Sequence, residues 1–235
     1  MKTLAAHQPQ YLPWLGYFDK LDRADVFVLL DNVQFKKNEW QNRNRIRTAE
    51  GWQWLTVPVR HRFPQTIAEV EIDERVAWTR KHLQALKQNY GKAPYVDALL
   101  PQLEAALESP GSRLAPLNIG LVGLLAGILG IDTLTVLGSD VPARDDPNAR
   151  LIDLCRALEA DTYLSGAGAN DYLDVDAFAA AGIEVRFQSF DHPVYEQRYQ
   201  PFEPFLSVVD LFMNCGRESL SLIRSGRLGS ADDLA

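Results

Sequence analysis

The chain has 235 residues, of which 46% are hydrophobic and 23% charged, proportions typical of a folded globular protein. Its net charge of −7 disfavours a general nucleic-acid-binding protein, because such proteins need cations to displace the counterions of the phosphates. The two cysteines, Cys155 and Cys215, are too few for a disulfide scaffold and lack metal-ligand spacing, so they are predicted to be buried thiols.

Strands and helices alternate along most of the chain. Segments 3–6 and 24–30 are short apolar runs, typical of strands buried on both faces, and a helix begins at Gly16 between them. Segment 52–59 is predicted as a strand with Pro58 near its end. Helices follow over 76–90 and over 95–107, the second broken at Pro101. The second half alternates strands over 132–137, 162–164 and 183–187 with helices over 148–159 and 175–181.

This alternation predicts an α/β fold with a mostly parallel central sheet, helices on both faces and a helical C-terminal part. Because no linker or change of composition interrupts the chain, residues 1–224 are predicted to form a single domain and residues 225–235 a frayed tail. The stretch before His7 is too short for the apolar region of a signal peptide, so a cytoplasmic location is expected.

Segment 114–131 contains no charged residue and needs to be weighed as a membrane span. If Pro116 opens a helix and Gly130 ends it, only about 14 residues remain, and a span needs about 20. A helix buried on all sides is therefore predicted. Its glycines are expected to allow close packing against a sheet or a second helix.

Polar side chains follow the predicted strands. His7 and Gln8 follow the first strand, Asp31 the second, and Ser165 a later one. Because open parallel sheets bind ligands beyond the carboxyl ends of their strands, these groups are expected to share one site. His7 is predicted to act as the general base, with Asp31 or Asn38 orienting a substrate group.

Residues 34–62 are the basic part of an acidic chain. They carry seven cations and two anions, a net charge of +5, which leaves −12 for the remainder. Arg43, Arg45 and Arg47 alternate and would share one face of a strand, where guanidinium groups suit a phosphate or carboxylate. Arg43 and Arg45 are expected to hold an anionic substrate in the same cleft as His7. A solvated edge strand is the alternative.

The small-residue loop 165–170 could bring backbone N–H groups close to the same anion. Ser165, Gly166 and Asn170 are therefore candidate ligands. The loop lacks a full GxGxxG and a Walker lysine, and an ordinary tight turn is the alternative. His192 lies near a strand exit and is a further candidate contact, whereas His82 is predicted to be structural. No spacing indicates a metal site.

Several motifs, taken in order, resemble the WbqC-like protein family. The opening motif, HQPQYLPWLGYFDK, runs from His7 to Lys20, and later motifs span 31–35, 42–47, 54–59, 163–166, 172–174, 190–195, 206–210 and 214–216. The resemblance implies an enzyme that modifies a nucleotide-linked or amino sugar in bacterial surface-polysaccharide biosynthesis, by amide-forming acyl or aminoacyl transfer or ligation. The residues expected to contact its substrate include Gln8, Tyr11, Tyr17, Gln34, Asn38, Asn42, Arg43, Arg45 and Tyr172.

A weaker similarity is to nucleotidylyltransferase-like folds of the HUP, Rossmann-like kind. There an HxGH turn follows a strand. Here the equivalent stretch 14–17 reads WLGY, which keeps Gly16 but lacks both histidines. The similarity therefore extends to the fold rather than to nucleotidyl transfer. ATP or another nucleotide is the candidate cofactor.

Two other functions remain open. One is a binding protein without chemistry, for a nucleotide or an anionic metabolite of the same pathway. The other is an aminoacyl-tRNA-dependent transferase, in which Trp40, Trp52 and Trp54 among the cations would stack on RNA bases. Membrane binding is not expected, and a homodimer is compatible with the sequence.

Overall fold

A computed structural model describes residues 1–166, 168 and 173–228. Strands and helices alternate at both ends of this chain, with a long insertion between the second strand and the seventh. In order, the strands and α-helices are β1 (Thr3–His7), α1 (Leu15–Asp22), β2 (Val26–Leu29), β3 (Arg43–Thr48), β4 (Gly51–Thr56), β5 (Val59–Arg60), β6 (Glu71–Ile72), α2 (Trp78–Tyr90), α3 (Val96–Glu108), α4 (Leu114–Leu129), β7 (Leu134–Leu137), α5 (Pro147–Ala157), β8 (Thr162–Ser165), α6 (Val175–Ala180), β9 (Glu184–Phe187), α7 (Val208–Cys215) and α8 (Ser219–Ser225).

The central sheet has five strands in the order β7-β2-β1-β8-β9, and every pair is parallel. Leu4 on the central strand lies opposite Val26 on one side and Tyr163 on the other. The chain adds strands outward from β1 to β7, then returns to the other side of β1 with β8. The predicted parallel sheet is confirmed, and the direction of winding reverses between β1 and β8.

Successive side chains of a strand point to opposite faces of the sheet, and the two faces bury separate apolar clusters. Ala5 and Phe27 belong to a large cluster that includes residues of α1, α4 and α7. Leu4 and Val28 belong to a smaller cluster with residues of α5 and α6. Helices therefore cover both faces, as predicted, and the continuous apolar runs of β1 and β2 are explained by burial on both sides.

The insertion carries two antiparallel ribbons, β3–β4 and β5–β6, and the helices α2 to α4. The predicted strand over 52–59 is wrong at its end, because β4 ends at Thr56 and Val59 begins a separate strand paired with β6. Pro58 has no N–H to donate to a sheet ladder, which accounts for the interruption.

The helix predicted to break at Pro101 is continuous. Leu99, Leu103 and Leu107 are each at most 1% exposed and hold α3 against the core on both sides of the proline. Burying a leucine contributes about 1.5–3 kcal/mol, so three of them outweigh the roughly 3 kcal/mol cost of an internal proline.

Helix α4 has 16 residues and ends at Gly130, whose φ of 78° is the left-handed conformation of a helix terminus. The predicted end is confirmed, but the predictions of burial on all sides and of close packing through the glycines are wrong. Gly120, Gly123 and Gly127 are exposed, and a Cβ on any of them would meet nothing within 4 Å. Among the described residues, no helix is long and apolar enough to cross a membrane.

The C-terminal part is helical and packs against the first helix. Arg224 of α8 donates to Asp22, and Arg227 donates from Nε to Asp19 at 2.7 Å. Asp19 is fully buried and also accepts from Gln188. Residues 229–235, most of the predicted tail, lie outside the described residues.

Candidate functional site

A cavity of about 650 Å³ lies at the carboxyl ends of β1, β2 and β8. This is the point where the winding reverses, the position at which open α/β sheets commonly bind ligands. Its lining comprises Ala6, His7, Gln8, Lys20, Leu30, Asn32, Val33, Gln34, Asp145, Pro147, Arg150, Leu151, Tyr163, Ser165, Gly166 and Gly168. Five predicted site residues are thus brought together here: His7, Gln8, Gln34, Ser165 and Gly166.

His7 is the last residue of β1 and forms part of the cavity wall. Its Nδ1 lies 3.2 Å from the carbonyl oxygen of Gln8, and since a carbonyl only accepts, this nitrogen carries the proton. Nε2 is then the acceptor. Burial, followed by the positive charge of Lys20, lowers the pKa of His7 to about 3. The imidazole is therefore neutral near pH 7.

Tyr17 packs against the His7 ring. Its ring centroid lies 4.9 Å from that of His7, and its hydroxyl donates to the Gln8 carbonyl at 3.4 Å. Tyr17 itself is 1% exposed and does not line the cavity. It contacts the loop that carries His7 and Gln8 instead of a ligand.

Lys20 is the basic group that the sequence argument missed. It projects from α1 to the cavity, is 4% exposed, and donates to the Ala6 carbonyl at 2.9 Å. In the described part of the chain no carboxylate forms an ion pair with it. Burial lowers its pKa to about 7. The available signal was its place as the only cation in stretch 11–21, which apart from Asp19 and Gly16 consists of apolar and aromatic residues.

The opposite wall is formed by the start of α5. Pro147 is its first residue, and Asp146 caps the helix by accepting from the Ala149 N–H at 2.8 Å. Arg150, one turn in, lines the cavity and lies 3.4 Å from the exposed Asp145 carboxylate. The lining thus combines a helix N-terminus, the Arg150 guanidinium and the Lys20 amine with one carboxylate, that of the exposed Asp145. A helix N-terminus and a guanidinium group both favour an anion.

Asp31, predicted to be catalytic, has a structural contact instead, because both of its carboxylate oxygens bind Ser139. Its two carboxylate oxygens accept from the backbone N–H and the hydroxyl of Ser139, at 2.9 and 2.8 Å. It is 5% exposed and does not line the cavity. The neighbouring Asn32 does, and its Nδ2 donates to the Gly138 carbonyl at 3.0 Å. The Asp31 carboxylate joins the ends of β2 and β7.

Tyr11 and two asparagines also do not line the cavity. Tyr11 is fully buried, and its hydroxyl lies 2.8 Å from Nδ1 of His82. Asn42, 1% exposed, accepts from the backbone N–H of Asn38 and donates to the Val57 carbonyl. Asn38 is exposed with a φ of 62°, so this contact holds a strained turn. These side chains shape the loop before β3.

The arginine row lies on the β3–β4 ribbon and does not line the cavity. Arg43 stacks on Trp54 with its guanidinium carbon 4.1 Å from the ring centroid. Arg47 is 2% exposed and donates to the Pro201 carbonyl at 2.7 Å. The expectation that these guanidinium groups meet His7 in one cleft is therefore not met. The facing strand β4 offers tryptophans, and Arg43 and Arg45 stack on those, whereas Arg47 lies over Tyr199.

His192 belongs to an aromatic cluster away from the cavity lining. Its ring lies 5.2 Å from that of Phe205 and 6.4 Å from that of Trp14. Burial lowers its pKa. The two remaining predicted ligands, Asn170 and Tyr172, lie outside the described residues. Within the described part, no group of three histidine, cysteine or acidic residues is placed to hold a metal ion.

Comparison with known proteins places the motifs in context. The family model of the WbqC-like protein family matches residues 8–222. The uncharacterized protein Rv1507c of Mycobacterium tuberculosis is 37% identical over 228 residues, which cover 95% of this chain and 98% of that protein. No solved structure matches.

Proposed function

The chain belongs to the WbqC-like protein family, and we propose that its cavity is the active site of an enzyme that transfers an acyl group to an amine. The acceptor is an amino sugar that carries an anionic group, such as the diphosphate of a linked nucleotide. The resemblance described above implies this class of substrate, and the charges of the cavity support an anion. We place the reaction in the cytoplasm, as expected from the sequence.

The observation that carries the proposal is the pair of basic groups on one wall. Lys20 and His7 are both desolvated, and in the described part of the chain neither has a carboxylate partner. Burying an ammonium without a counterion costs free energy, which a purely structural lysine has no reason to incur. Strongly shifted titratable groups lining a cleft are typical of functional sites.

The chemistry divides between these two groups. The amine of the acceptor attacks the acyl carbonyl carbon and forms the C–N bond, while the bond to the leaving group of an activated donor breaks with its electron pair. The proton lost by the amine passes to the neutral Lys20 Nζ, whose pKa of about 7 suits a general base. His7 accepts a hydrogen bond through Nε2 and orients the amine, because a pKa of about 3 makes it a weak base.

The anionic part of the acceptor has a separate place in the cavity. Arg150 and the N-terminus of α5 lie across from β1, and a phosphate or carboxylate there would be held by charge and helix dipole together. The Ser165 hydroxyl lies at the end of β8 between the two walls. Binding would thus orient the acceptor with its amine toward Lys20.

A direct test uses UDP-glucosamine as acceptor with a panel of activated acyl donors, including thioesters, acyl phosphates and aminoacyl esters. Mass spectrometry detects the mass of the added acyl group. Lys20→Met should lower the rate of product formation by about 10²–10⁴-fold, the usual worth of a general base. Lys81→Met, which removes an exposed lysine of α2, is the matched control and should leave the rate unchanged. An equal rate in Lys20→Met would overturn the proposal.

A binding protein without chemistry is the second candidate. It is favoured by the state of the two side chains first expected to be catalytic: Asp31 is saturated by Ser139, and His7 is a poor proton acceptor. This alternative expects UDP or UDP-sugars to raise the melting temperature, and no product from any donor in the panel.

A further inference from the structure

The outer face of the β3–β4 ribbon carries three indoles and two guanidinium groups in one contiguous array. We call it the tryptophan–arginine surface, and it consists of Trp40, Arg43, Arg45, Trp52 and Trp54. Cross-strand pairing sets Arg45 opposite Trp54, with the guanidinium carbon of Arg45 5.0 Å from the Trp52 centroid. The Trp54 centroid lies 5.6 Å from that of Trp40 and 5.5 Å from that of Trp52.

This surface is open to solvent. Trp40, Trp52 and Trp54 are 37%, 41% and 36% exposed, so none is a core residue. Three adjacent exposed indoles are unusual on a folded chain, and large exposed aromatic groups commonly mark a binding surface. Trp78 shows the contrast within the same region, because it is 4% exposed and packs against His82.

The arginines of this surface keep most of their donors free. In the described part of the chain, the Arg43 guanidinium makes no hydrogen bond and no ion pair, and its Nε is buried without an acceptor. Arg45 donates once, to the Phe205 carbonyl at 3.0 Å, and its Nε also lacks an acceptor. Guanidinium groups that stack but are not paired with a carboxylate suit an anion from outside the chain.

The net charge around the surface is positive, although Glu39 and Glu50 also lie in this part of the chain. Lys36 and Lys37 are exposed on the loop that leads to Trp40, and residues 34–62 carry a net charge of +5. Such a surface would repel a second copy of itself. The remaining −12 of the chain would repel a long polyanion beyond the ribbon, so the favoured partner is a short anionic segment.

We propose that the tryptophan–arginine surface binds a short single-stranded polynucleotide. Its bases would stack on the indoles and on the guanidinium planes, while its phosphates contact Lys36, Lys37 and the guanidinium edges. An anionic glycan is less favoured, because the Arg43 guanidinium, 4.1 Å from the Trp54 centroid, offers a flat plane that stacks on a planar base and not on a puckered sugar ring. The inference does not depend on the acyl transfer proposed above.

The surface is nevertheless connected to the cavity. The backbone N–H of Tyr11 donates to the Trp40 carbonyl at 3.1 Å, and Tyr11 is three residues from Gln8 on the cavity wall. Three residues span at most about 10 Å, so the Trp40 carbonyl is within about 14 Å of Gln8. The end of a bound strand could therefore reach the cavity.

Fluorescence anisotropy with 5′-fluorescein-labelled octamers of uridylate and thymidylate tests the proposal between 20 and 200 mM NaCl. Saturable binding is expected, with a slope of log K against log salt of about −2 to −3 for three or four neutralised phosphates. Comparison of the two octamers shows whether the 2′-hydroxyl contributes. Trp54→Ala and Arg43→Ala should each weaken binding by about 5- to 100-fold.

Control variants distinguish a loss of stacking from a loss of charge or a loss of folding as the cause of weaker octamer binding. Arg156→Ala removes an exposed cation of α5, on the other face of the sheet, and should leave binding unchanged. Arg43→Lys keeps the charge without the planar group and should bind less tightly than the wild type, even if Arg43→Ala fails to fold. Lys20→Met should bind the octamers normally, so the two proposals fail independently.

Three results would overturn the inference. The first is no saturable binding of either octamer at 20 mM NaCl. The second is equal affinity in the wild type, Arg43→Lys and Trp54→Ala. The third is salt-sensitive binding of polygalacturonate with none of the octamers, which would assign the surface to an anionic glycan.

Discussion

Lys20 couples the stability of the protein to pH. Its pKa is about 7 in the folded protein and 10.5 in its ordinary state, so the unfolded chain binds the extra proton between these values. The resulting destabilisation is complete below pH 7, fades as the pH rises to 10.5, and is absent above that. A difference of this size is equivalent to at most about 5 kcal/mol.

Lys20→Met should therefore be more stable than the wild type, most of all below pH 7. Thermal melting at pH 6 should show a gain of several degrees, which narrows at pH 9. Lys81→Met, at an exposed position, should show no such pH dependence. A gain that is the same at both pH values would mean that Lys20 is not the titrating group.

The same residue sets the expected pH profile of the proposed reaction. A general base must be unprotonated, so kcat/KM should rise with pH up to about 7 and level off above it. The titration of His7, near pH 3, should not be visible in this range. If the residual kcat/KM of Lys20→Met still rises with pH up to about 7, the titrating group is not Lys20.

At the scale of elements, α8 is held to α1 by ion pairs of unequal burial. Arg227→Ala leaves the fully buried Asp19 with Gln188 and a more distant Arg23 as its partners among the described residues, and should lower the free energy of unfolding by about 2–3 kcal/mol. Arg224→Ala, whose side chain is 52% exposed, is the matched control and should cost about 1 kcal/mol or less. Urea denaturation measures both, and equal effects would contradict the burial argument.

The sheet strands and most helices could be predicted because their signals are local. Apolar runs such as Val26–Leu29 and the stop at Gly130 need no knowledge of the rest of the fold. The continuity of α3 through Pro101 could not be predicted, since it depends on leucines that are buried by other elements. The exposed glycines of α4 were misjudged for the same reason, because a uniformly apolar helix does not show which side faces the core.

The candidate site was predicted in part. His7, Gln8, Gln34, Ser165 and Gly166 follow from strand exits in a parallel sheet or from the family motifs, and these residues line the cavity. Lys20 was missed because it reaches the cavity from a helix rather than from a strand exit. The arginine row was misplaced because the register of β3 with β4, which sets Arg45 opposite Trp54, is not visible in either strand alone.

The whole molecule should unfold as one unit, in line with the single domain predicted from the sequence. The strand β1 contributes Ala5 to the large cluster and Leu4 to the smaller one. Because both clusters pack on the same sheet, unfolding of one cluster removes the strands on which the other packs. Phe18→Ala and Phe178→Ala, one in each cluster, should each lower stability by about 3–5 kcal/mol. Calorimetry should show a single transition in both variants, and two separate transitions would divide the chain into independent domains.

The strand order also determines when each strand of the central sheet can pair with its neighbours during translation. Of the five sheet strands the central one is synthesised first, yet its neighbour β8 begins only at Thr162, and the outer neighbour of β2 begins at Leu134. For more than 100 residues of elongation, two apolar strands have edges without their native neighbours. The contacts that complete the sheet are among the most distant along the chain, which slows folding. The nascent protein is thus open to mispairing until synthesis reaches the last third of the sequence.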